Sequence, residues 1–153
     1  MEAVMDDDVT ARQMRIGRVF RAPVAAVWRA WTDPEVLPRW FGPQGIECLT
    51  KEIDLRDGGV WRFDMIGFGQ VWPNRHRDFE YTPMSRIHFL MDDDSDEKPP
   101  FDVVVTITAE GDGTRLEQVM TFPDLATKAG AEAMGAVELG QTTLAKLAAI
   151  VEG

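Results

Sequence analysis

The sequence predicts an α+β fold: a curved antiparallel sheet of about six to seven strands around a long C-terminal helix, with two short helices at one end. Three observations point to it. Two-residue hydrophobic alternation recurs in segments joined by short turns between residues 46 and 122. Apolar residues then repeat at three and four along the C-terminal segment. Near the N-terminus, two brief stretches of helical spacing are bounded by prolines. Antiparallel neighbours with short turns build one sheet, and its apolar face needs a cover. The C-terminal helix is the element long enough to supply it, and a curved sheet gripping a helix commonly leaves a hollow between them.

Residues 1–12 read as a flexible polar leader, and residues 13–153 as a single domain. Met14, Ile16, Phe20 and Ala22 alternate with polar or small residues as in a strand, with Arg18 interrupting that face. Pro23 suits a first helical position, and Val24, Val27, Trp28 and Trp31 give a short amphipathic helix over about 23–32. Asp33 and Pro34 open a second helix, which Pro38 and Gly42-Pro43 close. Residues 46–55 form a strand ending at the turn Asp57-Gly58-Gly59. Trp61, Phe63 and Met65 share one face of the next strand, and Gly67-Phe68-Gly69 turns the chain into an extended segment over 70–81. Ile87, Phe89 and Met91 share a strand face that stops at an acidic loop, Asp92 to Glu97. Residues 101–109 are rich in Val, Ile and Thr, and Leu116, Gln118, Met120 and Phe122 lie on one face of a last strand. From Asp124 the sequence reads as one helix to the end, with Ala133, Val137, Gly140, Leu144, Leu147 and Val151 as its seam. Gly140 costs that helix about 1 kcal/mol of propensity, and close approach to the sheet is the physical reason to keep it.

Composition narrows the function. The 153 residues suit one domain with a core of its own. Sixteen Lys and Arg stand against 26 Asp and Glu, a formal net charge of −10. Such a chain does not present the clustered cations that nucleic acid or an anionic membrane surface requires. The single cysteine, Cys48, forms no intrachain disulfide and builds no cysteine-rich zinc site. The N-terminus has no signal-peptide pattern and no run spans a bilayer, so a cytoplasmic protein without membrane insertion is expected. No phosphate loop, dinucleotide fingerprint, nucleophile elbow or helical metal pair is present, and no cofactor or metal is expected.

The segment Phe20-Arg21-Ala22-Pro23-Val24-Ala25-Ala26-Val27-Trp28-Arg29-Ala30-Trp31-Thr32-Asp33-Pro34-Glu35 resembles the opening signature of the START-like, or SRPBCC, superfamily. The nearer resemblance is to the branch named for the activator of the heat-shock-protein-90 ATPase. Trp40-Phe41-Gly42-Pro43, Asp54-Leu55-Arg56-Asp57-Gly58-Gly59, Pro83 with Arg86-Ile87, Gly135-Ala136-Val137-Glu138 and Gln141-Thr142-Thr143-Leu144 continue it in order from about residue 14 to 151. The resemblance implies a helix-grip (START-like, birch-pollen-allergen-like) fold over residues 13–153. It also implies a cavity that takes an apolar or amphipathic small molecule, and some members act as cyclases or hydrolases. Only a dozen residues precede the matching stretch, and a chaperone partner is not expected. An exposed sheet edge offers a route to a homodimer.

The expected function is therefore small-molecule binding, with the specific ligand unread. The alternatives are a cyclase- or hydrolase-type enzyme using the same pocket, or a chaperone-associated interaction domain. The candidate ligand-binding residues are Trp40, Phe41, Trp61, Phe63, Met65, Trp72, His76, Phe89, Met120, Met134, Glu138 and Gln141. Aromatic and Met side chains adapt to varied apolar ligands, and the same residue types also pack cores. If the protein is an enzyme, His76, Asp78 and Glu138 are the catalytic candidates. His76 and Asp78 stand two apart on one strand face, so a carboxylate can orient an imidazole for acid–base work. The competing reading is a solvated or salt-bridged strand face. Glu138 and Gln141 either fix a ligand at the cavity wall or flank the helix seam facing water or the sheet edge. Arg18 either pairs with a carboxylate or lies out along the sheet edge. The acidic loop lacks the calcium-loop pattern and reads as solvated. Cys48 reads as a small buried apolar residue, and His88 is given no role.

Overall fold

The computed structural model describes residues 9–153. The first eight residues of the expected leader lie outside the described residues. The rest of it is tied down: the Arg12 carbonyl accepts from the Phe122 N–H at 2.9 Å, and its guanidinium donates to the Phe122 carbonyl at 2.8 Å.

In chain order the elements are β1 (Gln13–Phe20), α1 (Val24–Thr32), α2 (Leu37–Trp40), β2 (Glu47–Asp54), β3 (Val60–Gly67), β4 (Gln70–Thr82), β5 (Arg86–Asp92), β6 (Phe101–Glu110), β7 (Gly113–Thr121), α3 (Leu125–Ala133) and α4 (Ala136–Val151). The seven strands form one antiparallel sheet in the order β1-β7-β6-β5-β4-β3-β2. Strands β2 to β7 follow one another as a meander, as their short turns require. The helices α1 and α2 carry the chain from one sheet edge, β1, to the other, β2.

The period of two puts Trp61, Phe63, Ile87, Phe89, Val103, Val105, Ile107 and Leu116 on the concave face, where all are buried. Helix α4 covers this face with Leu144, Leu147 and Ala148. At the same end, α1 buries Val27, Ala30 and Trp31, one helical face at three and four. Trp31 and Trp40 meet edge to face at 4.9 Å, and the Trp40 indole N–H donates to the Ala30 carbonyl at 3.0 Å, tying α2 to α1.

Four local features differ from the sequence reading, the last of them in β4. The C-terminal helix is two helices. Asp124 caps α3 by accepting from the Thr127 N–H at 2.7 Å, and the chain breaks at Gly135, whose φ of 79° lies in the left-handed region glycine adopts without strain. Pro38 does not close the second helix but sits in the first turn of α2, where its missing N–H costs nothing. The acidic loop is charge-paired, not simply solvated. Asp92 receives Arg75 at 2.9 and 2.8 Å and Arg77 at 2.9 Å, and Asp94 receives both arms of Arg62 at 2.9 Å.

Strand β4 carries a bulge. Its register with β5 shifts between Arg77 and Glu80, and Asp78 adopts a φ of 56°. The extra residue reverses the inward phase. Asn74 and His76 face the concave side before it, and Phe79 and Tyr81 after it. The β2–β3 turn supports the interrupted strand: the Gly58 N–H donates to the Phe79 carbonyl at 2.8 Å, and Asp57 accepts from the Tyr81 N–H at 2.9 Å.

Candidate functional site

Helix α4 fills only part of the sheet's concavity. Its C-terminal half presses Leu144, Leu147 and Ala148 into the core. Along its N-terminal half Gly140 lies against the Ile16 side chain, while the small side chains of Ala136 and Thr143, with Leu139 beside them, leave the sheet beyond Ile16 uncovered. A space of about 250 Å³ remains, floored by Ile16, Met65, Asn74, Phe89, Met91, Val103, Gln118 and Met120 and walled by Phe41, Gly42 and Pro43 and by α4. A second lobe of about 230 Å³ shares Ile16, Met91, Gln118, Met120, Ala136 and Gly140 and continues toward Met14, Phe101, Phe122 and Ala131 of α3. A shallow depression of about 270 Å³ on the same face holds Trp72, Pro73, Asp93, Lys98 and Pro99, and it meets the lobes at Asn74, Met91 and Phe101.

Three lining side chains carry polar atoms. Asn74 and Gln118 rise from inward positions of β4 and β7, and Thr143 looks down from α4. The Asn74 amide nitrogen donates to the Trp72 carbonyl at 3.0 Å, and the Thr143 hydroxyl donates to the Leu139 carbonyl at 3.3 Å. Among the described residues, no Asp, Glu, Lys, Arg or His lines the two lobes. Their chemistry is that of an apolar chamber with a few neutral hydrogen-bonding groups.

The sequence candidates divide. Phe41, Met65, Phe89 and Met120 line the chamber, and Trp72 stands at the adjoining depression. Trp40, Trp61 and Phe63 are core. Trp61 and Phe63 stack at 3.7 Å, and the Trp61 indole N–H donates to the Thr50 hydroxyl at 3.0 Å. Met134 is 79% exposed, because it occupies the break between α3 and α4 instead of the seam of one helix. Glu138 and Gln141 are also exposed, turned away from the chamber. Arg18 rests its guanidinium over the Phe20 ring at 5.7 Å. Asn74, Met91, Gln118 and Thr143 also line the space, beyond the candidates the sequence suggests. Gln118 had a legible signal, a carboxamide between Leu116 and Met120 on an otherwise apolar strand face.

His76 and Asp78 do not come together. His76 is 1% exposed, stacked on Phe89 at 4.5 Å and met edge-on by Phe41, Trp61 and Phe63. Burial strips the imidazolium of hydration and drives its pKa down to about 3, against the pull of Asp92, so the ring is neutral. Its Nε2 has no hydrogen-bond partner among the described residues. The bulge throws Asp78 to the opposite, exposed face, where Arg77 holds it at 2.8 Å. With Glu138 exposed as well, the three catalytic candidates share no site.

Two other titratable groups are settled by their surroundings. Burial pushes the Cys48 thiol up to about 12 despite Lys146, and the thiol donates to the Phe41 carbonyl at 3.3 Å. His88, on the outer face, lies between Glu80 at 2.7 Å and Asp102 at 2.6 Å. Partial burial lowers its pKa, but the two carboxylate hydrogen bonds outweigh that and raise it. Among the described residues, no three His, Cys, Asp or Glu side chains gather as a metal ion would need. No helix among them is long and apolar enough to cross a membrane.

The profile of the family described as Activator of Hsp90 ATPase homolog 1-like protein matches residues 21–152. No curated protein matches the sequence. Among solved structures, a Chromobacterium violaceum protein is 28% identical, with 92% of this chain and 98% of that one aligned at a TM-score of 0.79. A Nitrosomonas europaea protein is 27% identical over 93% of this chain and 95% of that one, at a TM-score of 0.79. The AHSA1 protein of Silicibacter pomeroyi, 23% identical over 90% and 95%, shares the fold at a TM-score of 0.67.

Proposed function

Since the chain belongs to the Activator of Hsp90 ATPase homolog 1-like family, we propose that it binds an apolar or amphipathic small molecule in the chamber between the sheet and α4. The observation that carries this reading is the unequal packing of α4. Leu144, Leu147 and Ala148 press into the core along its C-terminal half, while Ala136 and Thr143 leave room over a floor of Met65, Met91 and Met120. Gly140 brings α4 into contact with Ile16, and the space lies beside that contact, under Ala136 and Thr143. Burying about 300 Å² of apolar ligand surface at ~25 cal/mol per Å² supplies roughly 7 kcal/mol gross. Immobilisation takes part of that, which leaves an affinity on the order of micromolar.

The test is titration with N-phenyl-1-naphthylamine, a neutral dye that brightens in apolar surroundings. Its fluorescence rises to saturation at one dye per chain, and amide resonances of Gln118, Met120 and Gly140 shift in a ¹⁵N correlation spectrum. A flat titration, or shifts confined to the outer sheet face, overturns the reading.

A further inference from the structure

Resting on that reading of the chamber, we infer that its occupant is an uncharged apolar molecule bearing a hydroxyl or N–H donor, oriented by Asn74, Gln118 and Thr143. The first support is the lining. Among the described residues neither lobe presents an ionisable side chain, so a bound carboxylate or ammonium would lose its hydration with no counter-charge from them in return. The adjoining depression adds to this. Asp92 there is already engaged by Arg75 and Arg77, Asp93 and Lys98 oppose one another in sign, and the whole chain carries −10, which disfavours anions on approach.

The second support is the direction of the polar groups. The Trp72 carbonyl takes one Asn74 amide N–H, which fixes the carboxamide and leaves Oδ1 as an acceptor beside the second N–H. The Leu139 carbonyl takes the Thr143 hydroxyl proton, which leaves that oxygen's lone pairs. Gln118, on the wall common to both lobes, brings an acceptor and a donor. Acceptor oxygens are thus present on all three side chains and spare N–H groups on Asn74 and Gln118 only, so a ligand donor is served at every polar position of the chamber. A lobe of about 250 Å³ suits a body of bicyclic size, below the ~300–1,000 Å³ of drug-sized sites.

The test compares 2-naphthol, naphthalene and 2-naphthoate at pH 7.5 on the full chain, then repeats the series with Gln118→Met and Asn74→Leu. The expected order of affinity is naphthol, naphthalene, naphthoate, with naphthol ahead of naphthalene by roughly 3–10-fold, as one buried neutral hydrogen bond gives. Each substitution should erase the naphthol preference while leaving naphthalene affinity in place, so naphthalene reports that the variant is folded with its chamber intact. Equal binding of all three, tighter naphthoate binding, or a naphthol preference that survives both substitutions overturns this inference and leaves the chamber reading standing. No binding by any of the three overturns the chamber reading itself.

Discussion

Gly140 of α4 rests directly against Ile16 of β1: a Cβ at position 140 would stand 2.8 Å from the Ile16 Cδ1 atom. The contact is with the mobile end of a side chain that itself borders the chamber. In Gly140→Ala, Ile16 has room to turn inward. Helix propensity improves by about 1 kcal/mol, so the variant is expected to be as stable as the parent, or up to ~1 kcal/mol more stable, in urea denaturation. Dye affinity falls, because Ile16 now occupies ligand space. A loss of stability above about 2 kcal/mol, the signature of overpacking, would mean that Ile16 has nowhere to go and that the space beside it is closed.

The Asp78 bulge predicts a contrast between two substitutions. At a φ of 56° a β-branched residue is strained, whereas glycine is not. Asp78→Val is expected to lose ~1–2 kcal/mol, and Asp78→Gly to stay near the parent, since the exposed pair with Arg77 contributes little. Equal stability of the two variants would show that β4 runs through without its bulge. Asp78 would then share a face with His76.

These residues also show where sequence legibility ends. The strands could be read because a half-buried sheet forces a period of two, and Trp61, Phe63, Ile87 and Phe89 obey it. The bulge could not, because β4 alternates plausibly in both phases: Asn74 and His76 fit one, Phe79 and Tyr81 the other. The helix break was hidden because Ala133 and Val137 keep helical spacing straight across Gly135, and only the left-handed backbone reveals the stop. Core and chamber were inseparable for a different reason. Phe63 and Met65 lie on the same face of the same strand, and only Met65 meets the space. What divides them is position along α4, a tertiary fact with no local code.

His88 predicts a stability change near neutral pH. With its pKa raised in the folded state by Glu80 and Asp102, the protonated ring favours folding. Its contribution is complete below the unfolded value of about 6.5 and fades as pH rises through the higher folded value. The unfolding free energy of the parent, from urea denaturation, should therefore fall relative to that of His88→Gln as pH goes from 6 to 9, by less than ~1 kcal/mol for such a partly exposed cluster. Parallel profiles would show that the two carboxylates do not hold the imidazolium.

His76 predicts the opposite dependence and a larger effect. Its folded pKa is depressed to about 3 by burial among Phe41, Trp61, Phe63 and Phe89. Unfolding in acid frees the ring to take a proton, so stability present above about 6.5 is lost progressively as pH falls toward 3. At roughly 1.4 kcal/mol per pH unit, the contribution across that window is on the order of 5 kcal/mol. His76→Leu keeps an apolar side chain in the aromatic cage and removes both the unpartnered Nε2 and the titration. Its stability at pH 7.5 should match or exceed the parent's. Its urea midpoint should decline less between pH 6.5 and 4, where the remaining carboxylates alone respond. An equally steep acid decline in His76→Leu would place the imidazole in contact with water in the native state, against the buried aromatic setting described above.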